Sequence, residues 1–456
     1  MCNYKINFFW SILLPLLILG CNKQPDVIPT HSETTVIHPE WSYNSTIYEV
    51  NIRQFSEEGT FKALENDLPR LKDLGVEILW LMPIHPIGEV NRKGSLGSFY
   101  SVKDYFDVNP DFGTKQDFKE LVDAAHALEM KIIIDWVANH TAWDNPVATT
   151  NPHYFEKNEE GNFIPPRGTD WDDVIQLDYE NKEIWTYMQS ALRYWVEEFN
   201  IDGYRCDVAY LVPTEFWNEV RVDLDSIKPV FMLAEAEDPA HHTSAFDMSY
   251  GWRMHHLFNE IARGNESPDK IDEYLDEDRK NFPAGSFRMH FTSNHDENSW
   301  NGTEFERMGP AAKTFAVLSH TMEGMPLIYN GQEMGMDKRL EFFEKDPIPW
   351  QMNEYFEFYS KLNHLKSINS ALANGEKGAR MQRIDTDHPG LYAFVRDSGI
   401  DKVLVLLNLG EEEINQGITS DLIRGDYKDL FTDESITLTT ETDVNLSPWG
   451  YKVYYY

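Results

Sequence analysis

Four segments of this sequence end in groups that can carry a charge or move a proton. "DWVANH" offers Asp135, Asn139 and His140, "GYRCDVA" offers Arg205 and Asp207, "MLAE" ends on Glu235, and "FTSNHD" ends on His295 and Asp296. Two carboxyl groups facing each other across a sugar ring can break a glycosidic bond, one as acid and the other as nucleophile or base. Environment decides the division. Arg205 and Asp207 stand two apart on an extended segment and so share a face, where the guanidinium favours the ionised carboxylate and is expected to lower its pKa. That makes Asp207 the nucleophile candidate. Glu235 follows apolar residues and has no Arg or Lys within several positions, so its pKa is expected to rise toward that of a general acid. Glu237 lies two residues further on, and Glu235 is preferred because it directly follows the apolar run. An Asp after a strand is often a helix N-cap and a lone His is often structural, but four segments ending this way are hard to attribute to capping.

These groups act together only if the chain brings the four ends to one place. "TIYEVNIRQF" is rich in β-branched and aromatic residues, and Phe61, Leu64, Leu68, Leu71 and Leu74 then follow at helical spacing before Gly75. "VEILWLMP" reads as a second strand, Thr114 and Asp117 fit a capping box opening the next helix, and "KIIID" is a third strand. A further helix carries Ile184, Tyr187, Met188, Ala191, Leu192, Trp195 and Phe199 on its apolar side and leads into "GYRCD". "PVFMLAE", "FRMHFTSNHD" and "MPLIYN" read as later strands. Continuously apolar strands separated by helices imply a parallel sheet covered on both faces. An open doubly wound sheet and a closed (β/α)8 barrel both satisfy this pattern. Polar residues recurring at the C-terminal ends of the strands favour the barrel, an α/β TIM fold expected over residues 41–373. The Asn-, Pro-, Gly- and Asp-rich excursion over residues 141–178 is too long for a simple loop and reads as a subdomain B inserted after strand 3, over the barrel mouth. From residue 374 to 456 the pattern becomes alternating strands, among them "GLYAFVRD", "KVLVLLNL" and "GYKVYYY", predicting a C-terminal antiparallel β-sandwich domain.

Composition narrows the partners. A chain of 456 residues with 41% hydrophobic and 13% aromatic content can bury a large core. The net charge of −36, from 76 acidic against 40 basic residues, argues against nucleic acid, because phosphate binding is built on Lys and Arg. At the N-terminus Lys5 precedes an apolar run from Phe8 to Leu19, shorter than the ~20 residues that span a bilayer, which predicts a signal peptide over residues 1–20. "ILGC" resembles the lipobox of bacterial lipoproteins, which implies lipidation of Cys21 and a lipid anchor in the membrane of a bacterial cell envelope, on its periplasmic or cell-surface face. Residues 21–40 then form a tether. With Cys2 and Cys21 at this end, only Cys206 remains in the body of the protein, so no disulfide is expected.

Taken together, "DWVANH", "GYRCDVA", "MLAE" and "FTSNHD" resemble, in order and separation, the four best-known regions of glycoside hydrolase family 13, the α-amylase family. The resemblance implies a (β/α)8 barrel with an inserted subdomain and a C-terminal β-domain. It assigns Asp207 as nucleophile, Glu235 as acid/base and Asp296 as a third carboxylate that holds substrate hydroxyls. His140, Arg205 and His295 match residues that hold the sugar in the cleaved subsite, Asp135 matches a carboxylate supporting that floor, and Tyr100 in "GSFYSVKDY" matches an aromatic platform beneath the same sugar. The implied partner is an α-glucan such as starch or maltodextrin, with α-1,4 hydrolysis by a retaining mechanism and no cofactor for the chemistry. Transglycosylation, α-1,6 action and non-catalytic glucan binding are the alternatives. Where many α-amylases carry a Lys-His pair after the nucleophile, this chain has Tyr210 and then Leu211, and Val208 is similar to the residue of some α-1,6-acting members. A family calcium site would use Asn139 and an Asp where this chain has Gln176, which leaves structural calcium open.

Overall fold

The computed structural model describes residues 35–456. The expected signal peptide, Cys21 and the first part of the expected tether lie outside the described residues. Eight parallel strands close into a barrel in which every neighbour in space is also a neighbour in barrel sequence. They are β1 (Ile47–Val50), β2 (Ile78–Leu81), β3 (Lys131–Trp136), β4 (Gly203–Cys206), β5 (Phe231–Ala234), β6 (Met248–Tyr250), β7 (Phe287–Phe291) and β8 (Met325–Tyr329). β1 closes the ring by pairing with β2 through Ile47 and Ile78 and with β8 through Ile47 and Leu327. The strand missing from the sequence pattern is β6, only three residues long, too short for any periodicity to mark it.

Helices cover the barrel for reasons legible in their sequences. α1 (Phe61–Leu74) buries Phe61, Leu64, Leu68, Leu71 and Leu74, and Gly75 ends it at φ 85°, a left-handed conformation natural to glycine. α2 (Lys115–Ala127) opens on the Thr114 and Asp117 capping box. α3 (Lys182–Phe199) turns Trp185, Met188, Leu192, Trp195 and Phe199 inward. Inside the barrel Trp80, Ile133, Phe231, Leu233, Phe287, Met289 and Leu327 form a second, separate core. Gly203 is needed where β4 meets β5, because a Cβ there would sit 1.9 Å from the Phe231 carbonyl oxygen.

Two attachments matter for the site. Directly after β3, the strand His140–Ala142 pairs antiparallel with Val174–Gln176, so the excursion between them leaves from and returns to the barrel mouth. At the C-terminal end a six-stranded antiparallel sheet and a two-stranded one enclose their own apolar core around Leu391, Leu404, Leu406, Ile418 and Val444, as a β-sandwich does. Tyr392, Phe394, Val403 and Val405 on the opposite face join the core of the barrel, which is why the two adjacent strands that carry them are apolar on both faces.

Candidate active site

The four segments converge on one guanidinium. Asp135 and Arg205 are register partners on β3 and β4, and the Glu235 backbone N–H donates to the Cys206 carbonyl at 3.0 Å as β5 ends. Arg205 Nη1 donates to Asp135 Oδ1 and to Asp207 Oδ1, each at 2.9 Å. Its Nη2 lies 2.9 Å from Glu235 Oε2, and its Nε donates to the Tyr250 hydroxyl at 3.1 Å. Three carboxylates therefore share one cation. Cys206, alternating with these residues, is buried on the far side as packing. Just beyond, Val208 takes φ 35° and ψ 46°, a left-handed conformation that a β-branched residue resists, at a cost of about 1–3 kcal/mol. The bend aims its backbone N–H at Glu235 Oε2, 2.8 Å away.

This arrangement corrects two expectations. The sequence places Asp207 below the ordinary carboxylate range because Arg205 is its neighbour. In the fold, burial pushes Asp207 up to about 6 against the pull of Arg205, and Asp135 and Asp296 add to the rise. The sequence also leaves Glu235 without a cation, yet Arg205 touches it; burial still lifts Glu235, to about 7, with Asp207 and Asp296 reinforcing the rise. Chain adjacency displays one cation beside one anion, whereas the folded site gathers three anions around that cation where little water remains.

Around this floor the remaining expected residues form the walls of a cleft of about 550 Å³, lined by Tyr100, His140, Asp207, Glu235, His295 and Asp296 among others. Asp135 and Arg205 lie beneath it, buried. The Tyr100 hydroxyl donates to Asp135 Oδ2 at 3.1 Å and meets His295 Nε2 at 2.8 Å, and its ring stacks on the imidazole at 5.5 Å. Burial works to lower the His295 pKa, but Asp296 and Glu49 override it and raise it to about 9, so this imidazole is a cation at neutral pH. His140 is the opposite case, with burial alone holding it neutral by lowering it to about 3. Glu237, the passed-over carboxylate, turns to Arg288 at 2.9 Å and not to the cleft.

Several participants escape the sequence pattern. Glu49, fully buried near the end of β1, accepts a hydrogen bond from His295 Nδ1 at 2.5 Å. Its signal was available, an acid inside the apolar "IYEV", by the same strand-end rule that found the others. Trp80 donates from Nε1 to Asp135 Oδ2 at 3.2 Å, and an apolar strand offers no hint of that. Lys93, Trp171, Phe342 and Phe343 join the cleft from loops, and Trp300 from a short helical turn.

At the position where calcium was left open, Gln176 Nε2 donates to the Asn139 carbonyl at 2.9 Å, to Asn139 Oδ1 at 3.0 Å and to the Leu177 carbonyl at 3.0 Å. The two backbone oxygens can only accept, so the amide nitrogen must face them. A nitrogen that donates to the very oxygens a cation would need does not fit calcium binding there. EDTA should therefore leave the melting temperature and activity unchanged; a drop of several degrees reversed by added calcium would overturn this.

Comparison with known proteins agrees with this geometry. The description "Alpha amylase, catalytic domain" matches residues 37–370. The alpha-amylase MalA of Haloarcula japonica is 26% identical over 432 residues, which cover 89% of this chain but only 62% of that protein. Alpha-amylase 2 of Dictyoglomus thermophilum is 26% identical over 435 residues, covering 86% of this chain and 73% of its own length. Among solved structures, an alpha-amylase from Lactobacillus plantarum is 32% identical with TM-score 0.81, covering 91% of this chain and 99% of that one. A maltogenic alpha-amylase, AmyB, from Thermotoga neapolitana has the same identity, 32%, and TM-score, 0.81, over 90% of this chain and 98% of its own.

Proposed function

Because the chain belongs to the alpha-amylase family, we propose that it is a retaining glycosidase that hydrolyses α-1,4 bonds in starch, maltodextrins or related α-glucans. The observation that carries this reading is the Arg205 guanidinium gripping Asp207 and Glu235 at 2.9 Å each, which favours the close carboxyl pair, about 5–5.5 Å apart, of a double-displacement site. Asp207 attacks the anomeric carbon while the Glu235 carboxyl protonates the departing oxygen, leaving a glycosyl ester on Asp207. Glu235, now a carboxylate, takes a proton from water, whose oxygen attacks the same carbon and releases Asp207. Configuration is retained because the carbon is inverted twice. Tyr100 supplies a flat face beneath the sugar, and Asp296 with His295 lies in reach of its hydroxyls.

The pKa directions set the pH profile. The first step needs Glu235 protonated, and that form is lost as pH rises through about 7. It needs Asp207 ionised, and that form is lost as pH falls through about 6. The expected kcat/KM profile is a narrow bell with its maximum in that mildly acidic window. A flat profile between pH 5 and 9 would contradict the assignment.

A second reading, transfer to a sugar acceptor, is supported by Tyr210, 59% exposed and close enough to Glu235 and Asp207 to feel their charge, where an acceptor can stack. Chromatography of maltoheptaose products separates the two. Hydrolysis yields only shorter chains, whereas transfer yields some longer than seven units. Maltoheptaose left unchanged, with no shorter or longer product, and no reducing-sugar release from starch, pullulan or cyclodextrin would together overturn both readings.

A further inference from the structure

The cleft does not end at Tyr100. The Phe342 ring lies 6.2 Å from the Tyr100 ring and within 13° of its plane, and Trp300 follows at 5.1 Å and 40°. Three rings thus lead from the carboxylates toward solvent in steps close to the size of one sugar unit. Trp300, at the outer end, is 52% exposed, an arrangement that water disfavours and a binding partner relieves.

These rings are held rigidly. Gln54 Nε2 donates to the carbonyls of Glu341 at 2.8 Å and Glu344 at 2.7 Å, bracketing Phe342. Arg53 Nη1 donates to the Phe342 carbonyl at 3.1 Å, and the Leu96 N–H donates to the next carbonyl at 3.1 Å. Trp300 stands on a π-helical turn, Glu297–Asn301, that is tied to the same loop. The Leu340 N–H donates to Asn298 Oδ1 at 2.8 Å and the Ser299 hydroxyl donates to the Leu340 carbonyl at 2.9 Å. Such turns concentrate at functional sites, and a rigid exposed platform has little conformational entropy to lose on binding.

The direction follows from the acid. Glu235 protonates the leaving oxygen and is held by the Val208 N–H, so the leaving group lies on the Val208 and Tyr210 side. Phe342 makes its ring contacts with Phe99, Tyr100, His295, Trp300 and Phe343, the group around the Tyr100 platform, and none with Tyr210. We propose that Phe342 and Trp300 form donor-side subsites that stack the glucose units preceding the cleaved one, so that the enzyme selects α-glucan chains over short oligosaccharides. This rests on the α-glucan reading above and deepens it.

The test compares kcat/KM on maltoheptaose and maltotriose for the wild type, Trp300→Ala, Phe342→Leu and the double variant, with reducing-end-labelled maltoheptaose to locate the bond cut. Loss of stacking is expected to lower the maltoheptaose-to-maltotriose ratio about tenfold in the double variant. The cut should move toward the non-reducing end, because fewer units are then held on the donor side. A folded double variant that keeps the wild-type ratio and cut position overturns the subsites while leaving the hydrolase reading intact. A wild type that cuts no α-glucan overturns both. Trp300→Ala, at an exposed position, carries the test alone if the Phe342 variant does not fold.

Discussion

Asp207→Asn is expected to stop turnover, by about 10⁴-fold or more, in a protein that remains folded and still binds maltooligosaccharide. The amide has nearly the shape of the carboxylate but cannot form the glycosyl ester, so the loss falls on kcat. Stability should move the other way. Asp207 has its folded pKa raised from 3.8 to about 6, so its charged form is less favourable in the folded state than in the unfolded one. That penalty grows as pH rises from about 4 to 6 and is complete above, where the unfolded chain is no longer the less protonated one. Replacing Asp207 by a neutral amide removes it. The variant's melting temperature at pH 7.5 should equal or exceed that of the wild type. Scanning calorimetry with reducing-sugar assays checks both halves, and near-normal turnover would sink the nucleophile role.

Arg205→Leu is expected to be the most damaging single change for fold and activity together. The guanidinium is the one basic side chain within salt-bridge distance of Asp135, Asp207 and Glu235 among the described residues. Its removal leaves Asp135 fully buried with a charge and no cation in contact, the His295 imidazolium acting on it only from a distance, a situation costing about 3–5 kcal/mol. The sign with pH is definite. Burial already raises Asp135 to about 6 against the pull of Arg205, and without Arg205 the carboxyls rise further. Protonation relieves the variant, so its deficit relative to wild type should be large at pH 8 and shrink toward pH 5. Arg205→Lys restores a charge but not the planar fork, so it should recover part of the stability and little activity. A Leu variant as stable as wild type at pH 8 would show that the cluster is not held by this cation.

The parts of this molecule that could be read from sequence are those governed by near neighbours. The helix α1 and its Gly75 cap, the capping box at Thr114 and the apolar runs of β2 and β3 depend on residues a few positions apart. The strand-end rule found Asp135, Asp207, Glu235 and Asp296 and passed over Glu49, which satisfies it equally, because a lone acid at the first strand had no companion to draw notice. β6 was hidden by its length. Trp300 and Phe342 were hidden by their loops, since no periodicity links residues 300 and 342, which meet only where two segments are tied together at the barrel mouth.

The sequence alone determined the reactive groups and their order along alternating strands and helices, and with them the barrel and the class of chemistry. Those follow from covalent order and from periods of two and 3.6 residues, which any reader of the chain can count. The tertiary structure decided the charge state of the carboxylates, the filling of the Asn139 site by the Gln176 amide, and the path of the aromatic platform away from Tyr100. Each of these depends on which distant groups come alongside and on how much water they leave behind. Arg205 shows the difference in one residue: along the chain it is a partner for Asp207, and in the fold it is the one guanidinium in contact with the carboxylates of Asp135, Asp207 and Glu235 together.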